Sequence, residues 1–222
     1  MNNLIIVESH NDKFFIEKLR DVLGLSNIKV EEPICNIYDY ECLGGLSETK
    51  LKQILKEIKF DHYQKIGIII DADNEGIEKR IDLINSCIRT LEEVPEDFQI
   101  TKINEFIRVK NLDIEIGCYI TNKDGFGELE TVLKAIKKED STYADCLDSW
   151  KTCLNSKGKE INDKDFDKFW VSNYLRFDTC TKKEQKQADK NCKNEVAIKK
   201  DIWDFENLIL NDLKNFLKIL NK

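Results

Sequence analysis

Proline and glycine are scarce in this sequence, 2 and 9 in 222 residues. So few turn formers point to long helices and few tight hairpins. Long hydrophobic runs are also missing. The longest, Leu4 to Val7 and Ile66 to Ile70, fall far short of the ~20 apolar residues that span a bilayer, so no membrane association is expected. Met1-Asn2-Asn3 opens no basic region and no cleavage site, so no signal peptide is expected and the compartment is read as cytoplasmic. None of the eight cysteines pairs at C-x-x-C spacing, which argues against a zinc ribbon or dithiol motif and predicts reduced thiols. Positive charge is in deficit too. With 35 basic against 42 acidic side chains the net is −7, which disfavours holding DNA by bulk charge alone. It leaves room for a protein that meets phosphates through a bound divalent metal.

What is present is a soluble, globular composition, 41% hydrophobic and 35% charged, long enough to bury a real core. Residues 1–138 alternate strand and helix signals. Asn3 to Val7 reads as a strand covered on both faces, and Phe14, Phe15, Leu19, Val22 and Leu23 then recur at helical spacing up to Gly24. A second strand is expected within Lys29 to Tyr38. Ser47 should cap a helix carrying Leu51, Ile54, Leu55 and Ile58. Lys65 to Ile70 is the clearest strand; it ends on Asp71-Ala72-Asp73 and precedes a helix with Ile77, Ile81, Ile84 and Ile88. Strands around Ile100 to Val109 and Ile114 to Ile120 lead into a helix from Glu128 to Lys137. This alternation predicts βαβ units in an α/β, Rossmann-like fold with a mostly parallel sheet flanked by helices. Residues 139–222 read as a helical extension packed on that domain.

In open parallel sheets, function gathers at the carboxyl ends of strands. Glu8 follows the first strand, and Asp71 and Asp73 follow the third. Carboxylates crowded together repel and lose protons unless a cation sits among them, and hard oxygen donors select Mg²⁺, Mn²⁺ or Ca²⁺ over zinc. Plainer roles remain open for each: Asp73 as a cap of the helix near Gly76, Glu8 as a solvated loop residue.

Leu4-Ile5-Ile6-Val7-Glu8-Ser9-His10-Asn11-Asp12 and Ile68-Ile69-Ile70-Asp71-Ala72-Asp73-Asn74-Glu75-Gly76 together resemble a Toprim domain, found in topoisomerases, bacterial primases, RecR-type repair proteins and OLD nucleases. The first motif of that superfamily usually reads Glu-Gly, where this chain has Ser9. Asp12 is similar to an extra acidic position of the nuclease branch. Gly125-Phe126-Gly127-Glu128-Leu129-Glu130 resembles that branch's third motif, which supplies further metal ligands. The Trp203-Asp204-Phe205 and Leu213 to Leu217 pattern also resembles small stand-alone bacterial Toprim-like proteins of unknown function. The resemblance implies a Toprim-type, Mg²⁺- or Mn²⁺-dependent phosphodiesterase, a nuclease acting on DNA or RNA in phage defence or repair. It implies Glu8, Asp12, Asp71, Asp73, Glu128 and Glu130 as metal ligands, with Glu8 and Asp71 catalytic. OLD nucleases use a lysine beyond the third motif, and Lys168, at an expected helix start, is the candidate. Glu128 and Glu130 also suit a first helical turn for macrodipole reasons alone.

Other signals carry less. Gly44-Gly45-Leu46-Ser47 lacks the spacing of a nucleotide-binding P-loop. His10 adjoins Ser9 too closely for nucleophile and base, and His62 reads as a surface residue. Lys182 to Lys200 either contacts nucleic-acid backbone or forms a solvated face. The last helix is a core element or a homodimer seam. The alternative function is a non-catalytic or regulated partner of a separate ATPase subunit, since OLD nucleases carry an ATPase domain that the chain lacks.

Overall fold

Near-continuous burial along three central strands, with successive residues joining opposite cores, sets the architecture. In β1 (Asn2–Val7), β3 (Tyr63–Asp71) and β5 (Ile114–Thr121), Leu4, Ile6, Ile66, Ile68, Ile70, Ile116 and Ile120 join one core. Ile5, Val7, Ile69 and Tyr119 join another on the opposite face. Such double coverage marks a parallel sheet with helices on both sides. The computed structural model describes residues 2–35 and 46–222. Its five-stranded sheet has the order β2-β1-β3-β5-β4, with β2 at Ile28–Val30 and β4 at Phe106–Val109. All pairs are parallel except β4 with β5. The fold is the expected α/β, Rossmann-like arrangement.

One face packs on α2 (Glu48–Glu57) and α3 (Gly76–Ile88), through Leu51, Leu55, Ile81, Ile84 and Ile88. The other is covered by α1 (His10–Val22), α4 (Leu129–Ala135) and the last helix. Ser47 caps α2 as expected, its hydroxyl accepting from the Lys50 N–H at 3.3 Å. Gly44, Gly45 and the end of the expected second strand lie outside the described residues. The strand expected around Ile100 to Val109 is shorter, because Ile100 is drawn away. Buried Asn85 of α3 takes the Ile100 N–H at 2.9 Å and donates to its carbonyl at 2.8 Å.

Beyond α4 the chain is helical: α5 (Thr142–Ser156), α6 (Asp163–Asn173) running into a π turn (Tyr174–Asp178), and three four-residue helices, α7 (Lys182–Gln185), α8 (Ala188–Asn191) and α9 (Asn194–Ala197). The last helix, α10 (Asn211–Asn221), lies against the sheet over Gly67, where an added Cβ would stand 2.8 Å from the Phe216 ring. Phe216 stacks on Phe106 at 5.2 Å. Asn3 joins the two ends of the chain, donating to the Leu220 carbonyl and accepting from the Lys65 N–H at 3.0 Å.

The cysteines depart from the expectation of reduced thiols: Cys180 and Cys192 form a disulfide. The folded chain brings their Cα atoms to 6.1 Å, a juxtaposition that spacing alone does not reveal. Among the described residues no helix is long and apolar enough to cross a membrane.

Candidate metal centre

The parallel register puts the ends of β1, β3 and β5 side by side, with Val7 opposite Ile69 and Asp71 opposite Thr121. Glu8 leaves β1 buried, not solvated, and its Oε2 accepts the backbone N–H of Asp71 at 3.1 Å. Ser9 has extended backbone and caps α1, so no glycine is required there. Its hydroxyl accepts from the Asp12 N–H at 3.3 Å, while Asp12 Oδ2 accepts from the Ser9 N–H at 2.9 Å and hydroxyl at 2.6 Å. This reciprocal capping box holds Asp12, itself buried, within electrostatic reach of Glu8.

The loop after β3 is tied to the loop after β5. Asp73, at φ +49°, donates its N–H to the Gly127 carbonyl at 2.8 Å, and Gly127 returns a bond of 2.9 Å. Gly127 stands at φ +93° with Thr131 Oγ1 2.8 Å from where a Cβ would be, so no side chain fits. The bridge sets Glu128 and Glu130 beside the Asp71-Ala72-Asp73 turn. Glu130 Oε1 meets Asn11 Nδ2 of α1 at 3.4 Å.

Asp73 behaves differently from the rest. It does not cap α3, whose N-cap is Glu75. Its oxygens are taken by Arg80 and by Lys164, the latter at 2.6 Å. Lys164 also reaches Glu128 Oε2 at 3.4 Å, and Lys168 reaches the same oxygen at 3.3 Å. Lys168 therefore does meet the acidic group, although it lies in the middle of α6 instead of at its start. Arg80 and Lys164 escape a sequence reading that looks only for acids. The available signals were Arg80 on the helix following the acidic turn, and Lys164 one turn before Lys168.

Burial dominates the electrostatics. It pushes the Asp71 carboxyl well above the usual range, aided by the charges of Asp12, Glu8, Glu130 and Glu128. Asp12 is pushed up to about 7 by burial and by Glu8. Glu128 also reaches about 7, through burial and Glu130, against the opposing pull of Lys168 and Lys164. Glu8 is raised by burial despite its hydrogen bond from Asp71. For Lys164, burial works against the charge, but Asp73 and Glu128 outweigh it and raise the ammonium.

Two buried acceptors, Asp71 Oδ1 and Glu128 Oε1, have no hydrogen-bond partner among the described residues. An orphaned buried acceptor costs about 1–3 kcal/mol, more when charged. Hard carboxylate oxygens with this deficit suit a divalent cation of the Mg²⁺ or Mn²⁺ type. As the side chains stand, no three His, Cys, Asp or Glu residues among those described are grouped closely enough to hold an ion. Glu8 Oε2 and Asp12 Oδ2 each already accept from protein donors, so holding an ion would require the carboxylates to draw together around their remaining oxygens. Asp73, neutralised twice over, fits least well as a ligand.

A family model described as a protein of unknown function (DUF3226) matches residues 2–222. No curated protein and no solved structure matches the chain.

Proposed function

We propose that this chain, which belongs to the DUF3226 family, is a Mg²⁺- or Mn²⁺-dependent phosphodiesterase of Toprim type acting on DNA or RNA, in phage defence or repair. The observation that carries the proposal is the unpartnered, buried Asp71 Oδ1, set among the charges of Glu8, Asp12, Glu128 and Glu130 at three strand ends. Those residues would hold the metal. When bound, a divalent ion neutralises phosphate oxygens, lowers the pKa of an attacking water and stabilises the leaving oxygen.

The protein's own groups do the positioning. The Asp71 N–H fixes Glu8, so β1 and β3 cannot shift apart without losing that bond. Asn11 meets Glu130, and the Ser9 cap holds Asp12 until a cation competes for it. Arg80 and Lys164 pair with Asp73 and offset the push its charge gives to Glu8. Lys168, its side chain 47% exposed, can swing from Glu128 to meet negative charge developing on a phosphate.

The test is plasmid nicking by purified protein in Mn²⁺. Asp71→Asn should abolish it, and nicking that survives this change would remove the site from contention. A second reading, a regulated partner of a separate ATPase, is favoured by one observation: Glu8 and Asp12 already face protein donors. Under that reading the lone protein stays inactive in Mn²⁺ and nicks only with the partner added.

A further inference from the structure

The helix that supplies the lysines continues past the carboxylates. Lys164, Lys168, Ser172 and Arg176 recur every four residues along α6 and its π turn. Residues four apart share a helix face. Twelve residues at ~1.5 Å each make this stripe about 18 Å long, with Glu128 at its Lys164–Lys168 end. Lys168, Ser172 and Arg176 line one side of a cleft of about 380 Å³, and Glu130 joins it to the acidic cluster. The facing wall includes Lys193 and Asp189.

That wall belongs to the one strongly basic stretch of an acidic chain. Lys182 to Lys200 carries seven lysines against three acids, in a protein of net −7. The Cys180–Cys192 disulfide ties the wall to the end of the π turn, and Lys200 pairs with Glu184 at 2.8 Å across the same segment. Among the described residues no carboxylate lies within ion-pair distance of the exposed Arg176, and Lys193 pairs with the half-exposed Glu195 at 2.8 Å. A local excess of ammonium and guanidinium groups with a hydroxyl between them matches a phosphodiester chain, which Arg grips bidentately and Lys and Ser contact singly.

We infer that this cleft seats the phosphate backbone of a polynucleotide strand on one side of the acidic cluster. The inference rests on the proposed phosphodiesterase reading and deepens it by giving a substrate strand its path. It also answers how an acidic protein binds a polyanion: the charge is placed locally along one groove.

The experiment is fluorescence anisotropy with a labelled single-stranded oligothymidylate of 12 nucleotides, in EDTA, so that binding is read apart from cleavage. Wild-type protein should bind it with a salt-dependent affinity. Arg176→Ala combined with Lys193→Ala should weaken binding about tenfold or more at low salt and flatten the log–log salt slope by about 1.4, from ~0.7 per lost phosphate contact. Both side chains are exposed, so the melting temperature and its shift in Mn²⁺ should match wild type, which shows the fold and acidic cluster intact. Unchanged affinity in the double variant overturns the inference, as does absence of binding by wild type. Thymidine monophosphate that competes as well as the oligomer would also overturn it, since the cleft would then be a mononucleotide pocket. The nicking assay separates the two claims: an inactive protein that still loses oligomer binding in the double variant fails the phosphodiesterase reading while the groove stands.

Discussion

Glu8 accepts the backbone N–H of Asp71 at 3.1 Å, joining residues 63 apart at the ends of two neighbouring parallel strands. The bond makes Glu8 both a structural acceptor and an anionic oxygen donor. Glu8→Gln keeps an acceptor for that N–H and removes a buried charge, so the fold should melt no lower than wild type. Glu8→Ala leaves the N–H unpaired and should cost about 1–3 kcal/mol in urea unfolding. Both variants should lose Mn²⁺-induced stabilisation. A Gln variant that retains the full Mn²⁺ shift would show that Glu8 holds no metal.

The raised carboxyl groups make the metal-free protein sensitive to alkali. Each folded-state value lies above the ordinary range near 4, reaching about 7 for Asp12 and Glu128, so the fold binds protons more readily than the unfolded chain between those limits. Stability from these groups is present below about pH 4 to 5 and is lost as pH rises through 7. Thermal melting in EDTA should therefore fall between about pH 5 and pH 8. Mn²⁺ should raise the melting temperature more at pH 8 than at pH 5.5, because protons and metal compete for the same oxygens. A flat or rising EDTA profile in that window contradicts this account.

The two lysines of α6 should separate by assay. Lys164 is hydrogen-bonded to a largely buried Asp73 and stands near Glu128, so Lys164→Ala should cost about 1–2 kcal/mol after allowance for its partial exposure. Lys168→Ala should cost less than about 0.5 kcal/mol in stability yet lower the nicking rate on the order of 100-fold. Equal loss of stability in both, with no selective rate effect at Lys168, would assign both to structure.

The sheet and its acidic rim were legible because strand burial, helix spacing and strand-end carboxylates are all local patterns. Ile66 to Ile70 followed by Asp71-Ala72-Asp73 names a buried strand and its exit directly. What stayed hidden depends on long-range contacts. Asn85 withdraws Ile100 from the sheet, and Lys164 claims Asp73 from 91 residues away, through tertiary approaches that no local pattern reports; Arg80, seven residues after Asp73, is near in sequence, but only the folded helix aims it back at the turn. The Ser9 cap explains why the exit of β1 does without a glycine, a point visible only once the extended backbone and the Asp12 bonds are seen together. Cys180 and Cys192 likewise meet only because the π turn and α8 fold back on each other.

The most direct measurement is anomalous diffraction from crystals grown in Mn²⁺, with data collected at the manganese edge. The account predicts a manganese peak at coordinating distance from Asp71 Oδ1, with Glu8 and Glu130 turned toward it. Well-ordered crystals with no peak there, or with Asp71 still unligated while manganese sits elsewhere, would contradict it.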